Sequence, residues 1–373
     1  MRALTLLLCF ASSAMASPQV AVWGALGDAA ARPGPIEARL GEPVHLFAVV
    51  RHRGRWYSDA PRLRGVRRPR PLSDLGDVRV TWRLVEPRQH HAETPSPNPG
   101  NPAYSNSVLF GPRHGQWLGY DTLEYHAAPV AEGPRLTLTE ARPSHPRLQA
   151  QGRGRGTVRY QAVVTLAGQA HASPGPEALQ RGGISPRVFR VSFRGADDLV
   201  GWLESFYNVP NVFGSAGRGA NHQTERHQGA DCADVLVGAA RKAGAKVPYT
   251  SVAGLGPHTD ALTERLLMDA DGLWRQTEAG RERVTLRFGR DVQAGDLLLI
   301  KYAPVDWTGR VWDHIGMLGP DGGVPQVFDL EDPVLHIGYL YGLVSQPARA
   351  HGVAVVEFRR LKRPYLRQMA RRR

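Results

Sequence analysis

Cysteine is scarce in this chain, which has only Cys9 and Cys232 among its 373 residues. A small disulfide-stapled scaffold needs many cysteines in a short chain, so the sequence excludes this class. The hydrophobic content of 42% excludes a largely disordered chain, and the 41 glycines and 29 prolines show no three-residue collagen period. A chain of this length is typical of two domains, each large enough to bury its own core.

Long apolar segments are also missing. No stretch approaches 18 consecutive apolar residues, so the sequence predicts no transmembrane segment. Residues 1–16 have instead the pattern of a signal peptide, with a positive Arg2, a short apolar run over residues 4–10 and an Ala-Met-Ala cleavage site at residues 14–16. We therefore expect an exported protein, periplasmic or extracellular, whose mature chain keeps one cysteine, Cys232.

Lysine and acidic residues are few compared with arginine. The chain has 47 Lys plus Arg, of which four are lysine, against 34 Asp plus Glu, and its net charge is +13. An exported basic protein is attracted to anionic envelope polymers or lipid headgroups, although the preference for arginine is equally compatible with coding bias. Nucleic-acid binding is not expected, because no helix-borne or aromatic-interleaved basic motif is present.

The first half of the chain has the pattern of β structure. Apolar residues alternate with polar ones over residues 43–50, 78–85 and 157–166, and connections rich in proline, glycine and arginine separate these segments. The pattern predicts an all-β sandwich over residues 17–194, for which an immunoglobulin-like topology is one option.

The pattern changes near Gly195. Apolar spacing and capping residues predict three helices and then four strands, which together describe an α+β domain over residues 195–360 followed by a basic, frayed tail over residues 361–373. The predicted helices cover residues 196–207, 232–243 and 257–267, and the predicted strands cover residues 296–302, 314–318, 326–329 and 353–359.

Cys232 opens the second predicted helix. A thiol at this position faces unpaired backbone N–H groups and the positive helix end, which favour the thiolate and lower the pKa of the thiol. Nucleophilic catalysis also needs a base, usually a histidine held by a third polar group. His314 opens a predicted strand and Asp329 lies on the next one, so we expect Cys232, His314 and Asp329 to form a catalytic triad.

Three segments resemble the NlpC/P60 cysteine peptidases, which are papain-like cell-wall hydrolases. They are Gly-Ala-Asp-Cys-Ala at residues 229–233, Gln-Ala-Gly-Asp-Leu-Leu-Leu-Ile at residues 293–300 and His-Ile-Gly-Met-Leu-Gly-Pro-Asp-Gly, which begins at His314. The resemblance implies a papain-like domain that hydrolyses amide bonds in peptidoglycan, with Cys232 as nucleophile and His314 as base and with no metal or cofactor. Asp329 would then be the third polar member, a position that commonly holds His, Asn or Gln in the family.

The sequence departs from the family pattern around the cysteine. Ala233 and Asp234 replace the usual Ser and Gly, and Asn211 stands where the family has a tyrosine that helps to form the oxyanion site. An amide N–H also donates to an oxyanion, so Asn211, together with Asp231, is a candidate oxyanion or substrate residue. These departures leave open a non-catalytic envelope-binding protein with a degenerate papain-like domain. The order Cys, His, Asp also suits a transglutaminase-like acyl transferase.

An insert over residues 215–228 precedes the cysteine and carries His222 and His227. We interpret it as a loop over the cleft or a substrate-selecting element. A zinc site is the alternative, but the spacing of these histidines and Cys232 matches no compact zinc pattern, so no metal is expected.

Overall fold

A computed structural model describes residues 17–88, 108–110, 117–120, 124–180, 183–212, 214, 217–302, 312–338 and 341–371. The expected signal peptide lies outside these residues. Within the described ranges, no helix is both long enough and apolar enough to cross a membrane.

The described residues contain 23 β-strands and four α-helices. In chain order these are β1 (Gln19–Leu26), β2 (Ile36–Arg39), β3 (Val44–His52), β4 (Arg55–Tyr57), β5 (Val78–Pro87), β6 (Val108–Phe110), β7 (Trp117–Tyr120), β8 (Tyr125–Glu132), β9 (Arg135–Leu138), α1 (Pro146–Gly152), β10 (Gly156–Leu166), β11 (Gln169–Ala172), β12 (Leu179–Gln180), β13 (Gly183–Ile184), β14 (Phe189–Arg194), α2 (Leu199–Glu204), α3 (Cys232–Lys242), β15 (Thr259–Ala261), β16 (Leu266–Asp269), β17 (Gly272–Thr277), β18 (Gly280–Val284), β19 (Leu297–Tyr302), β20 (His314–Leu318), β21 (Pro333–Gly338), β22 (Gly342–Pro347), β23 (Ala354–Leu361) and α4 (Arg363–Ala370).

Two large β-sheets form most of the N-terminal half, beside two small sheets that pair β6 with β7 and β12 with β13. One large sheet contains β1, β3, β4 and β9, and the other contains β2, β14, β10, β5, β8 and β11, with β2 and β14 as a parallel pair. Alternate residues of both sheets point inwards and bury a common core that includes Leu46, Trp82, Val158 and Phe193. The expectation of a β-rich chain is thus confirmed, and its strands form several sheets.

A nine-stranded sheet organises the C-terminal half. Its order is β18-β17-β16-β23-β19-β20-β21-β22, with β15 paired to β23. The sheet is buried on both faces, as the alternate residues of β19 show. Leu297 and Leu299 pack in the core that includes α2 and α3, whereas Leu298 and Ile300 pack in a second core on the opposite face.

Helix α3 matches the sequence expectation closely, whereas the third predicted helix is wrong. Residues 257–267 form the end of a 3₁₀ turn (Ala253–His258), then β15 and the start of β16. Pro257 lies inside that turn, and a proline has no N–H to donate to a continuing α-helix.

Two further expectations for the C-terminal half are corrected. Residues 326–329 are not a strand but part of the turn-rich connection between β20 and β21. The basic tail is not frayed, because α4 forms there and buries Met369 against the core that contains α3. Its arginines face outwards while Met369, Leu366 and Tyr365 pack against the core, which a count of charges could not reveal.

Polar contacts join the two halves. Glu37 of β2 accepts hydrogen bonds from Arg190 of β14 and from Lys242 at the end of α3. Asn208 donates to the carbonyl of Thr157 at 2.9 Å. A Cβ at Gly156, where φ is +119°, would lie 2.7 Å from the carbonyl oxygen of Tyr207, so this close approach of β10 requires glycine.

Candidate active site

Asp231 fixes the start of α3 and therefore the position of Cys232. Its Oδ1 accepts hydrogen bonds from the backbone N–H groups of Ala233 at 3.0 Å and Asp234 at 2.8 Å, and its Oδ2 accepts one from Gly214 at 3.2 Å. This is an N-cap, and it also ties the preceding segment to the helix. The structure thus gives Asp231 a positioning role in place of the substrate or oxyanion role expected from the sequence.

Burial raises the pKa of Asp231 to about 6 in spite of these three donors. Burial also raises the pKa of the Cys232 thiol above its usual range, and the neighbouring carboxylate of Asp231 raises it further. The backbone N–H groups of Ile315 and Ala233 act in the opposite direction but do not compensate. The expectation of a lowered pKa for this thiol is therefore wrong, because desolvation outweighs the helix end.

The helix start meets the start of β20. The backbone N–H of Ile315 donates to the Cys232 sulfur, and Ile315 directly follows His314. Residues of α3 and β20 share one buried core. Helix α3 and β20 thus meet at Cys232 and the backbone of Ile315, whereas the His314 side chain belongs to the other face of the strand, since it pairs with Ile300, which packs in the second core.

A chain of hydrogen bonds runs from His314 across the sheet. His314 Nε2 lies 2.9 Å from His336 Nδ1 on β21, and His336 Nε2 lies 3.0 Å from Gln346 Oε1 on β22. Strands β20, β21 and β22 are consecutive neighbours in the sheet. Three adjacent strands therefore each supply one member of the chain.

The acceptor at the end of this chain defines the proton positions along it. An amide oxygen only accepts, so His336 Nε2 carries the proton that it donates to Gln346. His336 Nδ1 is then the acceptor, and His314 Nε2 carries the proton that it donates there. His314 Nδ1 is left with a free lone pair, which is the property that a general base needs.

The same arrangement keeps the two rings neutral. Burial, together with the neighbouring His336 and His351, lowers the pKa of His314 to about 3, and burial lowers the pKa of His336 as well. His314 is thus unprotonated throughout the neutral range and available to accept a proton.

A third histidine lies beside this pair. The ring of His351 lies 4.7 Å from that of His336 and 6.0 Å from that of His314, measured between centroids. Its Nδ1 lies 3.1 Å from the hydroxyl of Tyr302, and burial, with His336 nearby, lowers its pKa to about 3. Together, His314, His336 and His351 form a buried aromatic cluster.

Asp329 does not join this cluster. It lies in the connection before β21, where its carboxylate accepts hydrogen bonds from the backbone N–H groups of Val324 at 2.6 Å and Glu331 at 2.7 Å. The hairpin position expected for Asp329 is taken by His336, because the next strand begins only at residue 333. Asp329 therefore closes a loop, and its expected place in the triad is corrected to His336.

The sequence carries one signal for His336. This residue stands in an apolar strand, where a single histidine is more often an ordinary buried side chain. The family that the sequence resembles nevertheless commonly has histidine as the third member. Gln346, His351 and Tyr302 carry no comparable signal, since only the sheet pairing brings them near His314.

Asn211 lies close to the helix start. It is buried and pairs through its backbone with Ala230, two residues before Cys232. Neighbouring backbone bonds hold this pairing, since Val212 N–H donates to the carbonyl of Ala230 at 3.1 Å. The position is compatible with the oxyanion role expected for its amide group.

The histidines of the insert are structural rather than part of a loop over the cleft. His227 is fully buried, stacks on Phe206 with ring centroids 4.1 Å apart, and lies 3.2 Å from the Ser205 hydroxyl. His222 is also buried and stacks on Tyr249 at 3.5 Å. Among the residues that the structure describes, no three His, Cys, Asp or Glu side chains are grouped to hold a metal ion.

Comparisons of the chain with protein-family models, with curated proteins and with solved structures give no match.

Proposed function

We propose that this protein is an exported cysteine hydrolase that cleaves amide bonds in cell-wall peptides, with an NlpC/P60-type papain-like domain in its C-terminal half. Cys232 is the nucleophile, His314 the base and His336 the third member. The observation that carries the proposal is the hydrogen-bond chain from Gln346 through His336 to His314, whose neighbour Ile315 donates its backbone N–H to the Cys232 sulfur. The proposed reaction requires His314 Nδ1 to reach that sulfur.

The reaction begins with proton transfer from Cys232 Sγ to His314 Nδ1, and the sulfur attacks the carbonyl carbon of the substrate amide. The resulting oxyanion accepts hydrogen bonds from backbone N–H groups at the start of α3 and from the amide of Asn211. His314 then gives its proton to the departing amine, which leaves a thioester on Cys232. Water, deprotonated by His314, hydrolyses the thioester and restores the thiol.

The resting pair is neutral, because the pKa of the thiol is raised and that of the imidazole is lowered. Proton transfer creates a thiolate and an imidazolium side by side, and opposite charges in a poorly solvated site stabilise each other strongly. His336 Nδ1 accepts the hydrogen bond of the new imidazolium, which holds the ring in place while the sulfur reacts.

The proposed substrate class follows from three features. The segments around Cys232 and His314 resemble peptidases that act on peptidoglycan peptides. The N-terminal residues have the pattern of a signal peptide, which would deliver the protein to the envelope. The net charge of +13 favours retention at an anionic polymer, where the sandwich would act as a binding or positioning module.

The direct test is incubation of the purified protein with peptidoglycan, followed by mass spectrometry of the released fragments. We expect new peptide or amine termini with the wild type and a loss of at least roughly 10³-fold with Cys232→Ala. Intact Cys232→Ala protein, judged by its unfolding temperature, is the control. Equal fragment release by the two proteins would contradict the proposal.

One observation favours a second candidate, a non-catalytic protein that binds the envelope. The raised pKa of Cys232 keeps the nucleophile protonated, as in a papain-like domain that has lost activity. A small haloacetamide separates the two candidates. Labelling of native Cys232 faster than in denatured protein supports the hydrolase, whereas slower labelling combined with peptidoglycan binding and no cleavage supports the binder.

A further inference from the structure

A cavity of about 510 Å³ lies between the two halves of the chain. Its walls come from β2, β10 and β14 of the sandwich, from residues 220–228 and from Lys242, the last residue of α3. None of the candidate active-site side chains lines it, so it is a separate feature of the molecule.

The cavity is lined by more positive than negative side chains. Five basic residues face two acidic ones, Glu37 and Glu225, which leaves a difference of +3; the basic residues are Arg32, Arg159, Arg190, Arg226 and Lys242. Both carboxylates already have cationic partners. Glu37 is shared by Arg190 and Lys242, and Glu225 is bound to Arg241, which lies outside the cavity wall.

Arg159 is the least compensated of these cations. Its side chain is 2% exposed, and its Nη2 donates to the backbone carbonyl of His227. Within the described ranges, Arg159 forms no ion pair with a carboxylate. A buried guanidinium has five N–H donors and a charge, so a single neutral acceptor leaves most of its hydrogen-bonding capacity and all of its charge unmatched.

The register of the sheet brings a second arginine beside it. Arg159 of β10 and Arg190 of β14 are directly opposite residues of an antiparallel pair. Like charges at such positions repel each other, and burial, with a smaller contribution from this repulsion, lowers the pKa of Arg159 to about 10. Two adjacent buried guanidinium groups would lose this repulsion if an anion bound between them.

We propose that this cavity is a binding site for an anion that carries phosphoryl groups. The planar N–H fork of arginine matches phosphate oxygens in pairs, and a phosphate dianion offers enough oxygens for Arg159, Arg190 and a cation from the second half at once. Because the cavity walls come from both halves, the bound anion fastens the sandwich to the segment that leads into α3. Free phosphate and the phosphate groups of an envelope polymer share this chemistry.

The test compares binding of inorganic phosphate, a soluble poly(glycerol phosphate) fragment and citrate, each at constant ionic strength set with sodium chloride. Isothermal calorimetry and the unfolding temperature report on the intact protein. We expect a saturable rise in unfolding temperature with phosphate or with the polymer fragment. A response to the polymer alone identifies a polymer as the source, and a response to inorganic phosphate identifies the free ion.

Variants decide where the anion binds. We expect Arg159→Gln and Arg226→Gln each to raise the dissociation constant at least tenfold. Arg68→Gln, which replaces an exposed arginine that does not line the cavity, should leave it unchanged. Arg226 is at the cavity rim, so its variant remains informative if Arg159→Gln does not fold. Absence of any saturable response, equal weakening by Arg68→Gln, or tighter binding of citrate than of both phosphate compounds would overturn the proposal.

Discussion

At the scale of single residues, the acceptor oxygen of Gln346 determines which nitrogen of His314 carries the proton, although two hydrogen bonds separate the two residues. It lies 3.0 Å from His336 Nε2, and His336 Nδ1 lies 2.9 Å from His314 Nε2. A glutamine in this position can only accept through its oxygen, so the proton of each ring is directed towards β22 and the Nδ1 of His314 keeps its lone pair. Gln346 is thus a positioning residue for the proposed base.

We expect Gln346→Leu to lower kcat roughly fivefold and leave KM nearly unchanged. The substitution removes one hydrogen bond worth about 1 kcal/mol that orients His336, and this bond matters most when His314 is charged. Steady-state kinetics on a soluble cell-wall peptide measure the effect. Gln346→Glu is the matched variant, since it keeps the acceptor and adds a charge that raises the pKa of His314. A shift of the acidic limb of its rate profile to higher pH is expected, and an unshifted limb would contradict the hydrogen-bond chain.

Asp231 acts on Cys232 in two opposed ways. Its carboxylate caps the helix that presents the thiol, and the charge of the same carboxylate raises the pKa of that thiol. At pH 8 this carboxyl group is ionised, because its pKa is about 6. Asp231 therefore fixes the position of Cys232 but makes its thiol less reactive.

We expect Asp231→Asn to speed the alkylation of Cys232 by iodoacetamide at pH 8, since the amide keeps an acceptor oxygen for the cap but removes the charge that raises the pKa of the thiol. Rates measured across pH 7 to 10 compare the thiolate fraction of the variant with that of the wild type. Asp329→Asn removes a carboxylate from the loop before β21 and is the control, with no change expected. An unchanged or slower rate for Asp231→Asn would show that the charge of Asp231 does not govern the thiol.

At the scale of elements, α4 shows how a basic segment is held. Met369 is buried in the core that contains α3, and Tyr365 places its hydroxyl 2.7 Å from His258 Nδ1. Pro364 occupies a first-turn position, where a missing N–H does no harm. Leu366 packs against the same core, and Gln368 accepts a hydrogen bond from the backbone N–H of Lys246 at 2.8 Å. The helix is therefore fixed by apolar and polar contacts in spite of its arginines.

We expect Met369→Ala to lower the free energy of unfolding by about 2 kcal/mol, which is the low end of the range for truncating a buried methionine, because the helix end can partly collapse. Urea unfolding followed by tryptophan fluorescence measures the change. Arg367→Ala on the exposed face of the same helix is the control and should change the free energy by less than about 0.5 kcal/mol. Equal effects of the two substitutions would mean that α4 is not anchored through Met369.

The sequence was a reliable guide where local signals agreed. Helix α3 has a capping Asp231, apolar periodicity and Gly244 with φ of +112° after its end, so its bounds could be predicted. Residues 257–269 carry a helix-like apolar spacing, but pairing with β23 overrides it. Cys232 and His314 were identifiable because a helix start and a strand start mark them.

Other parts of the site depend on long-range pairing. His336 is brought to His314 by the register of β20 and β21, and Gln346 by that of β22, neither of which local patterns determine. The cavity between the two halves depends even more on contacts between distant parts of the sequence. Arg32, Arg159 and Lys242 meet there from three distant segments, and no sequence spacing relates them.

At the scale of the whole molecule, a buried carboxylate links the two halves. Glu37 of the sandwich binds Arg190 on its own sheet and Lys242 of α3. Burial works against ionisation of Glu37, but the two cations outweigh it and hold the pKa at about 2. Relative to a usual pKa near 4.5, this shift corresponds to roughly 3 kcal/mol of stability when the group is ionised.

The sign of this contribution fixes its pH dependence. A carboxyl group with a lowered pKa stabilises the folded state above pH 4.5, and the contribution is lost as the pH falls towards 2. We expect Glu37→Gln to lower the free energy of unfolding by up to roughly 3 kcal/mol at pH 7 and by much less at pH 3, in phosphate-free buffer. Glu132→Gln is the control, because Glu132 is an exposed carboxylate of the same sandwich. A pH-independent difference would contradict the ionic link.

The proposed function is tested most directly by substituting the proposed third catalytic residue, His336, and comparing its effect with that of substituting Asp329. The measurement is the initial rate of peptide release from purified peptidoglycan by the wild type, His336→Leu and Asp329→Asn. We expect His336→Leu to lose roughly 10- to 100-fold, since it removes a hydrogen bond to a charged imidazolium, and Asp329→Asn to retain nearly full activity. Loss of activity in Asp329→Asn with full activity in His336→Leu would contradict the assignment of Cys232, His314 and His336 as the catalytic residues.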